Sequence, residues 1–153
     1  MKKLFFLLAA VAMLVSCKDK NEADDHSLTG TYWAYESSTS TSTKTYYCYY
    51  VWHFTSETTA TSTYYDTGTT RVDIYSGEDP AKVGKTSSTA DKVVVHFTCS
   101  YPTISNCYET VTYYYSGATE NTNYCSGSFS SSDHFVLTFP KTGLKQYHSR
   151  IKK

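Results

Sequence analysis

Cysteine, histidine and tyrosine are the residue types of this chain with chemistry to offer, at 5, 5 and 16 copies in 153 residues. Cys17 ends an apolar run, while Cys48, Cys99, Cys107 and Cys125 are spread through the rest. Cys17 aside, four remain, an even number that in an oxidising compartment suggests two disulfides. Cys99 and Cys107 flank one expected turn and form the first pairing, leaving Cys48 with Cys125. Four cysteines allow three connectivities, spacing does not choose among them, and free buried thiols are the alternative. No C-x-x-C pair is present, which argues against a zinc ribbon or a thioredoxin-type site. His26, His53, His96, His134 and His148 have no metal-ligand spacing, and the acids are scattered. A serine nucleophile motif, a phosphate loop and a metalloprotease helix are all missing. The expectation is a protein that is not an enzyme and uses no cofactor or metal.

The tyrosines are the anomaly. Tyr46-Tyr47, Tyr49-Tyr50, Tyr64-Tyr65 and Tyr113-Tyr114-Tyr115 are consecutive, so on strands they line both faces. One face would fill a core and the other would reflect ordinary strand propensity. The sharper reading makes Tyr47, Tyr49 and Tyr114 an exposed aromatic platform for glycan rings or a protein partner.

Elements that could position these residues are all strands. Thr, Tyr, Val and Phe dominate, Leu28, Leu137 and Leu144 are the leucines beyond the N-terminal run, and no stretch there has a period near 3.6. Strands are expected at 31–38, 45–55, 58–66, 71–75, 92–100, 105–115, 121–130, 134–139 and 144–151, with a polar loop near Ser37–Thr43 and a long one over Ser76–Ala90. Alternation puts Tyr46, Cys48, Tyr50, Trp52 and Phe54 on the core face of the second, and gives His53, His96 and His134 outward parity. Eight or nine short antiparallel strands joined mostly by short turns make an all-β up-and-down meander, closed as a barrel or, alternatively, packed as a β-sandwich. An eight-stranded barrel is filled by side chains or holds one small ligand. A ligand cavity would be lined by Trp52, Phe54, Phe97 and Phe129.

The N-terminus has a different character. Lys2 and Lys3 precede an uncharged apolar run, Leu4–Val15, and then small Ser16. That order describes a secretory signal, and about twelve apolar residues fall short of the roughly 20 of a spanning helix. Leu14-Val15-Ser16-Cys17 resembles the lipobox of bacterial lipoproteins. The resemblance implies removal of residues 1–16 and acylation of Cys17, with two or more chains giving stable anchoring at about 0.8 kcal/mol per buried CH₂. Lys18 stands where aspartate would resemble an inner-membrane retention signal, which favours the outer membrane. The polar tether from Lys18 to Asp25 resembles the segment after the cysteine in surface-exported lipoproteins of the Bacteroidetes; the periplasmic face is the alternative.

The remainder, 28–153, carries a second resemblance. Leu28-Thr29-Gly30-Thr31-Tyr32-Trp33 resembles the opening of lipocalin-like domains, and Phe135-Val136-Leu137-Thr138-Phe139, Gly143 and Arg150 are similar to their last hairpin. The spacing departs from the family in being Gly-x-x-Trp. The resemblance implies a barrel in which Arg150 packs on Trp33 as a cation–π pair.

These readings give a signal (1–16), a lipidated N-terminus and tether (17–27) and one β-barrel domain. The expected function is a non-catalytic binding or interaction lipoprotein of the outer membrane, exposed at the cell surface. Its partners would be the membrane, through its lipid, and a glycan or protein; the alternative is a carrier of a small apolar ligand inside the barrel. The formal net charge is zero at pH 7 and no basic stripe is present, which argues against nucleic acid.

Overall fold

The computed structural model describes residues 26–153, so the signal, Cys17 and the tether through Asp25 lie outside the described residues. Eight antiparallel strands close into an up-and-down barrel in chain order: β1 (Tyr32–Ser40), β2 (Thr45–Phe54), β3 (Thr59–Gly68), β4 (Lys92–Ser100), β5 (Thr103–Thr112), β6 (Thr119–Ser131), β7 (His134–Thr138) and β8 (Lys145–Ile151). This is the architecture of a lipocalin-like barrel, not a sandwich.

Period-two alternation builds the ladders. Trp33 faces Trp52 across β1 and β2, and Phe54 faces Ala60 across β2 and β3. Phe129 faces Phe135 across β6 and β7. These inward side chains form one core with Leu28, Val95, Phe97, Ile104 and Leu137. Each fully buried large side chain contributes about 1.5–3 kcal/mol.

The core fills only the lower half of the barrel. On β2, Trp52 and Phe54 are buried, Tyr50 and Cys48 half-buried, and Tyr46 exposed. Inward parity holds along the strand, but burial fades toward the upper end. The lower end is closed by the segment before β1. Leu28 is buried there, and Gly30, in a left-handed conformation, donates its N–H to the Phe54 carbonyl. Glu57 fixes this closure by accepting hydrogen bonds from Ser27 Oγ and from the Leu28 and Thr29 amides. Bonds from the Thr29 side chain foremost hold its carboxyl down at about 2.

One expected strand is absent. Arg71–Tyr75 lies in a strap across the outside of the barrel, ending in a 3-10 turn at Ile74–Ser76. Val72 and Ile74 alternate as a strand would, but they bury against Ala34, Tyr49, Val51 and Ile151 on the outer face. Asp73 accepts from the Tyr75 and Ser76 amides, and Gly77 follows at φ 90°, so the chain turns instead of extending. The loop expected from Ser37 is shorter, because β1 continues to Ser40. The strand expected through Tyr115 stops at Thr112, so Tyr113–Tyr115 belong to the β5–β6 connection.

Candidate functional site

The strap overturns the expected tyrosine platform. Tyr49 does point outward, but it is wholly buried beneath Val72. Its hydroxyl accepts the Val72 N–H at 2.7 Å and lies 3.2 Å from Glu36 Oε2, to which it can donate. Burial pushes its phenol up to about 12. Tyr47 is partly covered by the same cluster, with the Arg71 guanidinium 6.0 Å from its ring centroid. Tyr114 is exposed, but it sits beyond the end of β5. The three do not form one surface.

The expected apolar cavity is also corrected. Trp52, Phe54, Phe97 and Phe129 fill the lower barrel: Phe54 meets Phe97 edge-on at 5.3 Å, and Phe135 sits among Trp52, Phe97 and Phe129. Trp33 packs on Phe135 at 4.8 Å and Phe129 at 5.7 Å. Arg150 is opposite Trp33 in the β1–β8 ladder without forming the expected cation–π pair; such pairs among the described residues are Arg71 with Tyr47 and Lys153 with Tyr32.

A different site lies above this core. Inward positions in the upper half carry Tyr35, Tyr50, Tyr64, Cys48, Glu109 and Gln146 beside Val93 and Val111, where the half below is mostly aliphatic and aromatic. Tyr35 stacks on Tyr50 at 4.9 Å, and Tyr50 meets Tyr64 edge-on at 5.4 Å. Glu109 accepts from Asn123 Nδ2, and burial raises its carboxyl. Burial also raises the phenols of Tyr35 and Tyr50, with the nearby Glu109 charge adding to both.

The wall of this chamber is open on two sides because ladders end early. β8 pairs with β1 only from Ser149 to Ile151, and β7 pairs with β6 only from Ser126 onward. A groove of about 430 Å³ follows the first gap, past Tyr35, Ser37 and Gln146. A second of about 280 Å³ follows the other, past Thr122, Asn123 and Gln146. The short β7–β8 hairpin therefore stands as a narrow post between two entrances.

At the chamber floor, His148 is inward, opposite Phe135, and 1% exposed. Its ring stacks on Phe135 at 4.5 Å and approaches Trp52 at 4.4 Å and Tyr35 at 5.0 Å. Burial pushes its imidazolium down to about 3, so it is neutral. Among the described residues, three buried side-chain nitrogens have no hydrogen-bond partner: His26 Nδ1, Trp52 Nε1 and His148 Nδ1. The last two share this floor. A buried polar atom without a partner costs about 1–3 kcal/mol, and both nitrogens at this floor carry that cost.

The other histidines are elsewhere. His53, His96 and His134 face outward, and each stacks on a tyrosine. His148 escaped sequence reading because the last strand alternates Gln146, His148 and Arg150 against Tyr147, Ser149 and Ile151; polarity alone put neither set inside. The signal that could have found it is the Phe135 and Leu137 parity carried across the final hairpin.

The cysteines are placed differently from the first expectation. All four are free thiols, but buried Cys107 faces buried Cys125 across β5 and β6. Cys99 faces Ile104 because the turn at Tyr101-Pro102 is tight, and Cys48 faces Ser37 and Asp66 on the far wall. A hydrogen bond with Cys125, then burial, raises the Cys107 thiol. Under oxidised glutathione we expect Cys107 and Cys125 to cross-link by thiol–disulfide exchange, the oxidant taking up two electrons. Closing this loop should add about 3 kcal/mol of stability. Peptide mass mapping without reduction checks it; a Cys99–Cys107 or Cys48–Cys125 peptide would contradict the pairing.

Comparison of the chain with protein families, with curated proteins and with solved structures finds no match in any of the three.

Proposed function

We propose that this chain is a lipid-anchored, non-catalytic binding protein of the outer membrane, held at the cell surface through Cys17, that receives a small polar ligand in the upper chamber of its barrel. The observation that carries the binding reading is the unpartnered pair, Trp52 Nε1 and His148 Nδ1, beneath a chamber of tyrosines with two entrances. Ligand sites place a few convergent polar groups in an otherwise apolar recess, and the floor of this one combines Phe135 and Trp52 with those nitrogens. The anchor rests on Leu14-Val15-Ser16-Cys17 and the charged tether after it. An apolar cargo is disfavoured, because the apolar half of the interior is occupied by its own side chains.

The test is a tryptophan-fluorescence screen of the full chain in detergent against sugars, amino acids, nucleosides, amines and fatty acids. Trp33 and Trp52 are the two tryptophans, and Trp52 borders the chamber. A saturable change with a polar compound supports the reading; no response, or a response to fatty acids alone, overturns it. The anchor has its own check: wild-type cells should incorporate labelled palmitate into this chain and Cys17→Ala cells should not.

A further inference from the structure

The two unpartnered atoms at the floor are chemically complementary. The indole nitrogen of Trp52 is a donor only. His148 is neutral, and its Nε2 lies 3.4 Å from Gln146 Oε1, an acceptor. With the proton on Nε2, Nδ1 presents a lone pair. The floor thus offers one donor and one acceptor on rings whose centroids are 4.4 Å apart. An alcohol hydroxyl, which donates and accepts, would satisfy both at once.

The walls add a charge preference. Among the described residues, no lysine or arginine takes an inward position in the upper half: β1 offers Tyr35 and Ser37, β2 Tyr50 and Cys48, β3 Ser62 and Tyr64, β5 Glu109 and Val111. Lys141 and Lys145 line the grooves from the outer side of the β7–β8 hairpin. Glu109 is a half-buried carboxylate with Asn123 as its side-chain hydrogen-bond partner. A carboxylate drawn partly out of water gains from a neighbouring cation, and tyrosine faces attract cations as well.

Building on the chamber assigned above, we propose that its ligand is a small hydroxylated organic cation, an amino alcohol, whose hydroxyl bridges Trp52 Nε1 and His148 Nδ1 while its ammonium group lies beside Glu109 against the tyrosine rings. The floor reads the hydroxyl and the wall reads the charge. No bond is made or broken.

Three probes of similar shape separate these parts, titrated by calorimetry into the full chain in detergent: choline, its neutral carbon isostere 3,3-dimethylbutan-1-ol, and ethyltrimethylammonium, which keeps the charge and lacks the hydroxyl. Choline should bind at least about tenfold more tightly than either, as expected for loss of the cation's attraction to a carboxylate and tyrosine faces in the one and of a buried hydrogen bond in the other. Glu109→Gln should weaken choline about tenfold and leave the neutral alcohol unchanged; His148→Phe should weaken choline and the alcohol but not ethyltrimethylammonium. Far-ultraviolet circular dichroism confirms that each variant is folded, and where one is not, the ranking of the three probes on the unaltered chain decides the matter alone. Equal binding of choline and its neutral isostere overturns the charge assignment, and equal binding of choline and ethyltrimethylammonium means that water alone occupies the floor and overturns the hydroxyl assignment. If choline does not bind while another polar compound from the screen does, the ligand class is wrong and the binding chamber stands. If nothing binds, both fail.

Discussion

Gly127→Ala should leave the chain without a closed barrel. Gly127 is in β6, facing Ile104 of β5 on one side and Leu137 of β7 on the other. A Cβ built on it would lie 1.9 Å from the Val136 carbonyl oxygen and 3.0 Å from Leu137 Cα. Both obstacles are backbone, so no rotamer change relieves them. β7 would have to move away from β6, yet β7 is also tied to β8 from His134 to Thr138 and carries Phe135 and Leu137 into the core. The clash thus reaches beyond one ladder rung to the packing of the lower half. A loss above about 4–5 kcal/mol is expected, against about 5–15 kcal/mol for a whole domain. Urea unfolding followed by near-ultraviolet circular dichroism reads it; a cooperative transition within about 1 kcal/mol of wild type would show that the sheet yields more easily than its geometry implies.

Gly127 also marks where a sequence stops being informative. Ser126-Gly127-Ser128-Phe129 reads as strand, and it is strand, but nothing in the alternation says that a neighbouring carbonyl presses on one position. The strands themselves were legible because barrel closure demands period two. Lys92–Ser100 is recovered to the residue, and Thr45–Thr55 and His134–Phe139 to within one. Parity was legible too: Trp52 and Phe54 are inward and Tyr49 is outward, as alternation requires. What parity cannot carry is whether the outward face is wet. Tyr49 is buried because Val72, 23 positions later in the chain, and Ile74 lie across it in the strap, and two apolar residues in alternation read as a strand. Nor can parity say that an inward face is polar by design. Tyr35, Glu109, Gln146 and His148 converge only after β1, β5 and β8 close the same ring. Their separation along the chain left no spacing to find.

The two halves of the barrel divide labour along one set of strands. β2 supplies Phe54 and Trp52 to the packed half and Tyr50 and Cys48 to the chamber. β8 supplies His148 to the boundary and Gln146 to both entrances. The packed half contributes most of the burial and holds the floor rigid, which lets the floor keep two unpartnered nitrogens in fixed positions. Polar atoms left open in this way destabilise the free protein and are offset by the apolar packing below.

His148 should dominate the acid sensitivity of the fold. Its imidazolium is pushed down to about 3 by burial, against an ordinary value near 6.5. Between those values the unfolded chain binds a proton that the folded chain does not, so stability falls as pH falls. By pH 4.5 the loss relative to pH 6.5 is about 2 kcal/mol, and it continues to grow toward pH 3. Two carboxyls titrate lower or oppose it. Glu57, held down at about 2, loses its contribution only as pH drops below its ordinary value of 4.5. Glu109 is raised by burial, so its protonation on acidification favours the folded state and works against the histidine. The interval from pH 6.5 to 4.5 therefore isolates His148 with Glu109 opposing. Phenylalanine at 148 keeps an aromatic ring on Phe135, 4.5 Å away, and takes up no proton. In urea unfolding across that interval, wild type should lose stability while His148→Phe stays flat or gains slightly, so that the two curves converge toward neutral pH and separate in acid. Parallel curves would mean that the imidazole is already reached by solvent, and a floor that admits bulk water in this way could not hold its donor and acceptor for a ligand.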